Sequence, residues 1–286
     1  MAVLLDGKAL GLAIRETVKQ DVEAIRRETG VVPHLSVILV GDDPASQTYV
    51  KGKENACRNA GIRSTVIREP ADVSEAKLLS DIDALNADPM VHGILLQLPI
   101  PKHLDPDRII PRIDVRKDVD GFTPENVAAL VNGRPRLVPC TPRGVMRLLD
   151  HYGIAIAGKE CVVVGRSQIV GKPMAALLLN ANGTVTVCHS KTNDLKAVTR
   201  RADILVVAIG KTRMVDASYV KPGAVVVDVG ISKVDGAIAG DVDFDSVEQV
   251  AGWITPVPGG IGPMTIACLL ENTLVCCRGQ IGGSRD

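Results

Sequence analysis

Val162-Val163-Val164-Gly165-Arg166-Ser167-Gln168-Ile169-Val170-Gly171-Lys172-Pro173 reads as a buried strand, a glycine-bearing turn and the start of a helix. Consecutive valines suit a strand covered on both faces. The pattern continues outward in both directions. Downstream, strands over 184–188, 204–209 and 224–229 are expected, with helices over 172–182 and 194–201 separating the first three strands of this half. Upstream, strands over 34–40, 63–68 and 91–98 alternate with helices over 8–29, 44–60 and 74–86. Strands separated by helices imply right-handed crossovers and a parallel sheet, so the class is α/β. A stretch dense in Pro and Gly follows Pro99 and contains the best boundary, near Cys140-Thr141-Pro142. A helix over 143–152 bridges the halves, and a final apolar helix over 264–277 follows the turn-rich segment 256–263. The tail, 279–286, is expected to be disordered.

The whole-chain numbers agree with this division. At 286 residues there is room for two domains. Aromatic residues make up only 2% of the chain, so its cores must be built from Val, Ile, Leu and Ala. The formal net charge is +0, from 33 basic and 33 acidic residues, which leaves no global field for nucleic acid or an anionic membrane. The apolar run Ala2–Leu5 stops at Asp6, too short for a signal peptide's core, and no segment approaches the length of a membrane span. Seven cysteines without a CxxC pair, and five histidines without ligand spacing, predict a reducing, cytoplasmic compartment and no metal site.

The turn after Val164 suits a diphosphate, because helix-start N–H groups face it and Gly165 permits close backbone approach. It departs from GxGxxG: Ser167 stands at the second glycine and Gly171 comes one position late. A tight turn without a ligand would look the same. The next strand decides between these readings. An NAD site usually carries an acid there, roughly 20 residues on, for the ribose hydroxyls. Here the strand ends in Cys188-His189-Ser190-Lys191-Thr192, with a hydroxyl and a cation instead. That pattern favours the 2′-phosphate of NADP.

Projected at about 100° per residue, the helix over 44–60 places Lys51, Glu54 and Arg58 on one polar arc. Lys53 falls near the middle of the opposite, mostly apolar arc, one turn beyond Tyr49. Desolvation there is expected to depress the amine's pKa and suit it to proton transfer, although a lysine snorkelling to water gives the same pattern. Gln97 interrupts Gly93-Ile94-Leu95-Leu96-Gln97-Leu98-Pro99 at the expected C-terminal end of a strand, where ligands of open α/β sheets sit. Asp118-Val119-Asp120-Gly121 offers carboxylates in a loop, or simply a turn.

Several motifs together resemble one family. They are Val40–Tyr49 with Lys53, Gly93–Pro99, Lys117-Asp118-Val119-Asp120-Gly121-Phe122, Pro139-Cys140-Thr141-Pro142, the Gly165–Pro173 turn, Cys188-His189-Ser190, and Pro256–Thr265. On these the chain is similar, over nearly its whole length, to the bifunctional methylenetetrahydrofolate dehydrogenase/methenyltetrahydrofolate cyclohydrolases. The resemblance implies a two-domain enzyme: a folate-binding α/β catalytic domain (1–141 plus 264–286), a Rossmann-like NADP-binding domain (142–263), and a cleft between them. It also implies a homodimer. By resemblance Tyr49 and Lys53 are the active-site pair, Gln97 is the lysine's partner and Asp120 binds the pterin. Gly262 and Pro263 then lie in the substrate-lining loop, while Gly165, Arg166, Ser167, Ser190 and Ile231 are cofactor positions.

Other readings are distinguishable. Tyr49 and Lys53 mimic the YxxxK spacing of short-chain dehydrogenases, but there the dinucleotide turn precedes that motif, whereas Gly165 follows it. A two-domain dehydrogenase of shikimate type shares the coarse architecture without the Gln97 and Asp120 motifs. A non-catalytic NADP-binding sensor would keep Gly165 and Ser190 but would not need Lys53 on an apolar arc.

Overall fold

The structure, a computed structural model, describes residues 1–234 and 236–282. Its elements begin with β1 (Val3–Leu4), α1 (Gly7–Thr29), β2 (His34–Val40), α2 (Pro44–Asn59), β3 (Arg63–Glu69), α3 (Glu75–Ala87) and β4 (Gly93–Leu96). Then come α4 (Pro106–Ile109), α5 (Pro124–Val131), α6 (Cys140–His151), β5 (Glu160–Val164), α7 (Gly171–Asn180), β6 (Thr184–Cys188) and α8 (Leu195–Thr199). The chain continues through β7 (Ile204–Val207), β8 (Val225–Asp228), β9 (Ser232–Val234), β10 (Ala237–Ala239), α9 (Phe244–Val247), β11 (Trp253–Ile254) and α10 (Ile261–Gly282). Two compact units result. One holds Met1–Leu12, Ala129–Pro135 and Thr141–Thr265; the other holds Ala13–Ala128, Arg136–Cys140 and the chain from Ile266.

The second of these units is built on a parallel three-stranded sheet, β3-β2-β4. All seven residues of the central strand β2 are buried, as its run of branched aliphatics requires. Ile38, Val40, Ile94 and Leu96 pack with Leu78 and Ile82 of α3 in one core. A further segment extends β4 on its free side. Ile94 bridges Asp118 in the parallel sense, and Ile94 N donates to Lys117 O at 2.7 Å. Residues 117–120 therefore run in the same direction as β4. Lys117, only 4% exposed, donates from its ammonium to the carbonyls of Leu85, Asn86 and Asp88. These oxygens lie at the C-terminal end of α3, where the helix dipole favours a cation.

The other unit carries a parallel six-stranded sheet, β1-β11-β8-β7-β5-β6, with apolar cores on both faces, and an antiparallel β9–β10 hairpin. Here β5 pairs with β6 on one side and β7 on the other. The order of successive strands reverses across it, and the C-terminal end of such a strand is where doubly wound sheets bind ligands. Gly165 stands at that end.

Some expectations need adjustment. The pairing of Val3 with Trp253 and Leu4 with Ile254 draws residues 1–12 to the six-stranded unit, whereas the expected boundaries grouped them with the first half. The loop-rich stretch after Pro99 contains α4 and α5, each opened by a proline whose fixed φ suits a first helical turn. β4 is shorter than the expected 91–98, although Gln97 N still donates to Ile38 O at 2.9 Å. α10 runs to Gly282, so residues 279–282 of the expected disordered tail are helical, and 283–286 lie outside the described residues.

Candidate functional site

In the three-stranded unit, β2 delivers the chain to Gly41, which adopts φ +78°, and then to the start of α2. The Asp43 carboxylate caps that helix by accepting from Ser46 N at 2.8 Å, and Pro44 follows at its first turn. Ser46, Val50, Ala56 and Cys57 form its buried stripe. Lys53 lies one turn beyond Val50, half-buried within that stripe. Tyr49 does not share this burial: it is 41% exposed, at the margin rather than on the apolar arc. What cover it has raises the phenol's pKa by desolvation.

The lysine head has a specific partner. Its Nζ donates to Oε1 of Gln97 at 2.9 Å, and the Gln97 amide in turn donates to Leu98 O at 2.6 Å. Gln97 is only 8% exposed, just past the end of β4. An amide with both ends engaged cannot swing away, so the amine is held in place.

The loop that continues the direction of β4 separates its two acids. Asp118, 1% exposed, accepts from Gly121 N, Thr123 N and the Asn126 amide at 3.0, 2.8 and 2.8 Å. It is the turn former that the motif allowed. Among the described residues, Asp120 has no comparable set of donors. Its Oδ1 faces the Cys140 thiol at 3.7 Å, a weak bond. Burial pushes its carboxyl up to about 6, the Lys53 charge pulling it down and the Asp118 charge adding to the rise. Lys53 and Gln97 are thus bonded to each other, and the Lys53 charge acts on Asp120, an acid whose carboxyl is raised toward neutrality.

The six-stranded unit offers a site of another kind. Gly165 adopts φ +130°, and a Cβ there would stand 2.2 Å from Ala208 O. A Cβ on Gly171 would stand 2.3 Å from Gly165 O. Both glycines are therefore required by backbone packing between β5, the end of β7 and α7. The Ser167 hydroxyl accepts from Val170 N and Gly171 N at 3.2 Å each, so those helix-start donors, expected to be free for a diphosphate, are already engaged. Arg166 and Ser167 are exposed. So is Ser190, in the turn after β6, which is closed by Thr192 Oγ1 accepting from His189 N at 2.9 Å. Ile231 is 43% exposed, and its Cδ1 lies 3.6 Å from where Gly262 would carry a Cβ. Gly262 and Pro263 are half-buried in the first turn of α10. No carboxylate occupies the Cys188–Thr192 turn. The Ser190 hydroxyl and the cations Arg166 and Lys191, at the ends of β5 and β6, fit a dinucleotide with an extra phosphate. Among the described residues, no group of three or more His, Cys, Asp or Glu side chains is placed to hold a metal ion.

Two residues of this site escaped the sequence reading. Cys140 entered that reading through a boundary and a family motif, with no role of its own, yet its thiol lies against Asp120. Asn272 is fully buried in α10, and its amide donates to Val119 O and Val138 O at 2.7 and 2.9 Å. An amide amid the apolar run of the last helix was the available signal.

Known proteins bear on these geometries. Residues 5–120 match the model of the tetrahydrofolate dehydrogenase/cyclohydrolase catalytic domain, and residues 139–281 match that of its NAD(P)-binding domain. The bifunctional protein FolD of Bordetella bronchiseptica is 57% identical over 274 residues, 96% of each chain. Among solved structures, the bifunctional FolD methylenetetrahydrofolate dehydrogenase/cyclohydrolase of Campylobacter jejuni is 50% identical, with a TM-score of 0.95 over 98% of this chain and 99% of that one. The Trypanosoma brucei enzyme, complexed with NADP cofactor and an inhibitor, is 40% identical, with a TM-score of 0.94 over 100% and 99%. The two halves of the sequence, the two sites they build and these likenesses agree: the chain belongs to the tetrahydrofolate dehydrogenase/cyclohydrolase family.

Proposed function

We propose that Lys53, Gln97 and Asp120 serve both reactions of a bifunctional folate enzyme. The chain oxidises 5,10-methylenetetrahydrofolate to the methenyl compound with NADP, then hydrolyses that product to 10-formyltetrahydrofolate. The shikimate-type and sensor readings give way to it. The observation that carries the assignment of roles is the Lys53–Gln97 hydrogen bond at 2.9 Å, beside an acid that feels the lysine's charge.

Gly165, Arg166, Ser167, Ser190 and Ile231 hold the cofactor in this reading. Gly165 keeps the turn after β5 close against Ala208 O, Arg166 and Ser190 meet its 2′-phosphate, and Ile231 offers an apolar surface. Ser167 acts by shaping the turn, since its hydroxyl already accepts two backbone N–H groups. Bound NADP supplies the acceptor for the hydride that leaves the folate methylene carbon. Orientation is the protein's main contribution to that step. Asp120 accepts hydrogen bonds from pterin N–H groups, Tyr49 lies along the pterin, and Gly262 and Pro263 line the substrate loop.

Hydrolysis needs more from the side chains. Water adds to the methenyl carbon, forming a C–O bond, and the bond from that carbon to the pterin-ring nitrogen then breaks. Lys53 carries one of the water's two protons to that departing nitrogen and the other leaves to solvent as the formyl carbonyl forms, while Gln97 fixes the amine's direction. Replacing Lys53 by Met removes the proton carrier and keeps the stem. The cyclohydrolase kcat should fall by about 10²–10⁴-fold, measured as loss of methenyl absorbance, with NADP binding intact. Full cyclohydrolase activity in Lys53→Met would refute the role. A homodimer in the cytoplasm completes the reading, supported by the family resemblance. A balanced charge of +0 gives no reason to add a nucleic-acid or membrane partner.

A further inference from the structure

The loop bearing Asp120 is held from behind by a residue that has no part in the chemistry above. Val119, fully buried, packs its side chain onto Gly93, where a Cβ would stand 2.5 Å from Val119 Cγ1. Gly121, at φ +68°, lets the chain pass close to Pro139: a Cβ there would lie 3.2 Å from Pro139 N. Asp120 therefore sits on a short segment gripped on both sides, one grip reaching toward β4 and the other toward residues 138–140. Asn272 joins them. One amide nitrogen donates to Val119 O at 2.7 Å and to Val138 O at 2.9 Å, and it lies 3.6 Å from Cys140 Sγ. Cys140 then touches both Val119 O, at 3.5 Å, and the Asp120 carboxylate, at 3.7 Å.

We infer that Asn272 is a positioning residue for folate binding: its amide ties Val119 to Val138 and so sets where the Asp120 carboxylate stands. The inference rests on the reading of Asp120 as the pterin-binding acid. Carbonyls on two separate segments can share one donor only while the segments keep their spacing, and a buried carbonyl left without a donor is costly enough to enforce it. A shift of about an ångström at a binding group is enough to weaken productive orientation severely. The consequence falls on folate, because Asn272, Val119, Val138 and Asp120 all belong to the three-stranded unit.

The test compares Asn272→Ser, Asp120→Ala and the double variant, with methylenetetrahydrofolate and NADP as substrates. Asn272→Ser should raise the folate KM about tenfold while leaving kcat and the NADP KM within about twofold, and the double variant should be no worse than Asp120→Ala alone. Independent, multiplying effects in the double variant would overturn the inference, as would an unchanged folate KM in Asn272→Ser. An unchanged KM in Asp120→Ala breaks the underlying reading instead, so the two failures are distinct. Asn272→Asp, of the same shape, replaces the serine variant if that one does not fold. Failure of both to fold also overturns the inference, because the amide would then be scaffold alone.

Discussion

Asp120 and Asp228 are both carboxyls pushed up to about 6 by burial, one in each unit, yet their surroundings differ sharply. Asp228, 3% exposed at the end of β8, accepts from Gly230 N, Asp241 N and Val242 N at 2.9, 3.0 and 2.9 Å. Its oxygens are committed to backbone, and they organise the chain entering and leaving the β9–β10 hairpin. Asp120 has a thiol at 3.7 Å and the pull of the Lys53 charge. The same direction of shift thus conceals opposite uses, in an Asp228 that is buried and an Asp120 that is half-buried. One acid has its desolvation offset by donors of the fold itself; the other keeps acceptor capacity in reserve, which is what a ligand-binding group requires.

The largest consequence concerns stability. Asp228→Ala would leave three backbone N–H groups without their acceptor. At roughly 1–3 kcal/mol for each unsatisfied group, partly relieved by water, the loss should be about 3 kcal/mol or more. Denaturant unfolding measures it. A change below about 1 kcal/mol would mean that the three bonds contribute little and that the contrast between the acids is empty.

Asp120→Asn should act in the opposite direction, by a smaller amount. The folded pKa lies above the ordinary value of 3.8, so this group favours the folded state at low pH, and that contribution is lost as pH rises through about 6. Above that point the wild-type protein holds a poorly solvated charge. Removing the charge should stabilise the protein at pH 8 by as much as about 3 kcal/mol. The gain should vanish below pH 4 or so. Melting curves at the two pH values check this. A variant less stable than wild type at pH 8 would show that Asp120 is a structural acid after all.

Periodicity made much of this legible. The 3.6-residue repeat of α2 placed Lys53 on the buried stripe, and the aliphatic runs at 34–40 and 161–164 marked the central strand of the three-stranded sheet and the strand beside the edge of the six-stranded one. Projection onto a helix gives an angle but not what covers that side, so it does not show that Tyr49 is 41% exposed. By spacing and composition alone Asp118 and Asp120, two residues apart in one loop, are indistinguishable, and only the family resemblance separates them. The bonds from Gly121 N, Thr123 N and the Asn126 amide decide that Asp118 is the carboxylate that meets the backbone turn. The N–H groups at the start of α7 looked free for a ligand because the Ser167 side chain that turns back onto them leaves no mark in composition. Asn272 joins segments 153 and 134 residues away, and local reading does not reach contacts of that separation.

The subtlest way to sharpen the contrast between the two acids is to titrate folate binding. Protonation of Asp120 below about 6 replaces an acceptor-only carboxylate with an acid that offers an O–H to the pterin N–H groups. The folate KM should therefore rise as pH falls through that point, by up to about tenfold per unit once the acid form dominates. Asp228 passes through the same range, but its oxygens face three backbone N–H groups. Its titration should appear in the melting temperature, while the NADP KM stays flat over the same interval. Asp120→Asn supplies the decisive control, because an amide has no proton to gain: its folate KM should start high and lose the acid limb. If the limb persists in that variant, the titrating group is another one, and the spare acceptor capacity of Asp120 is not what the pterin uses.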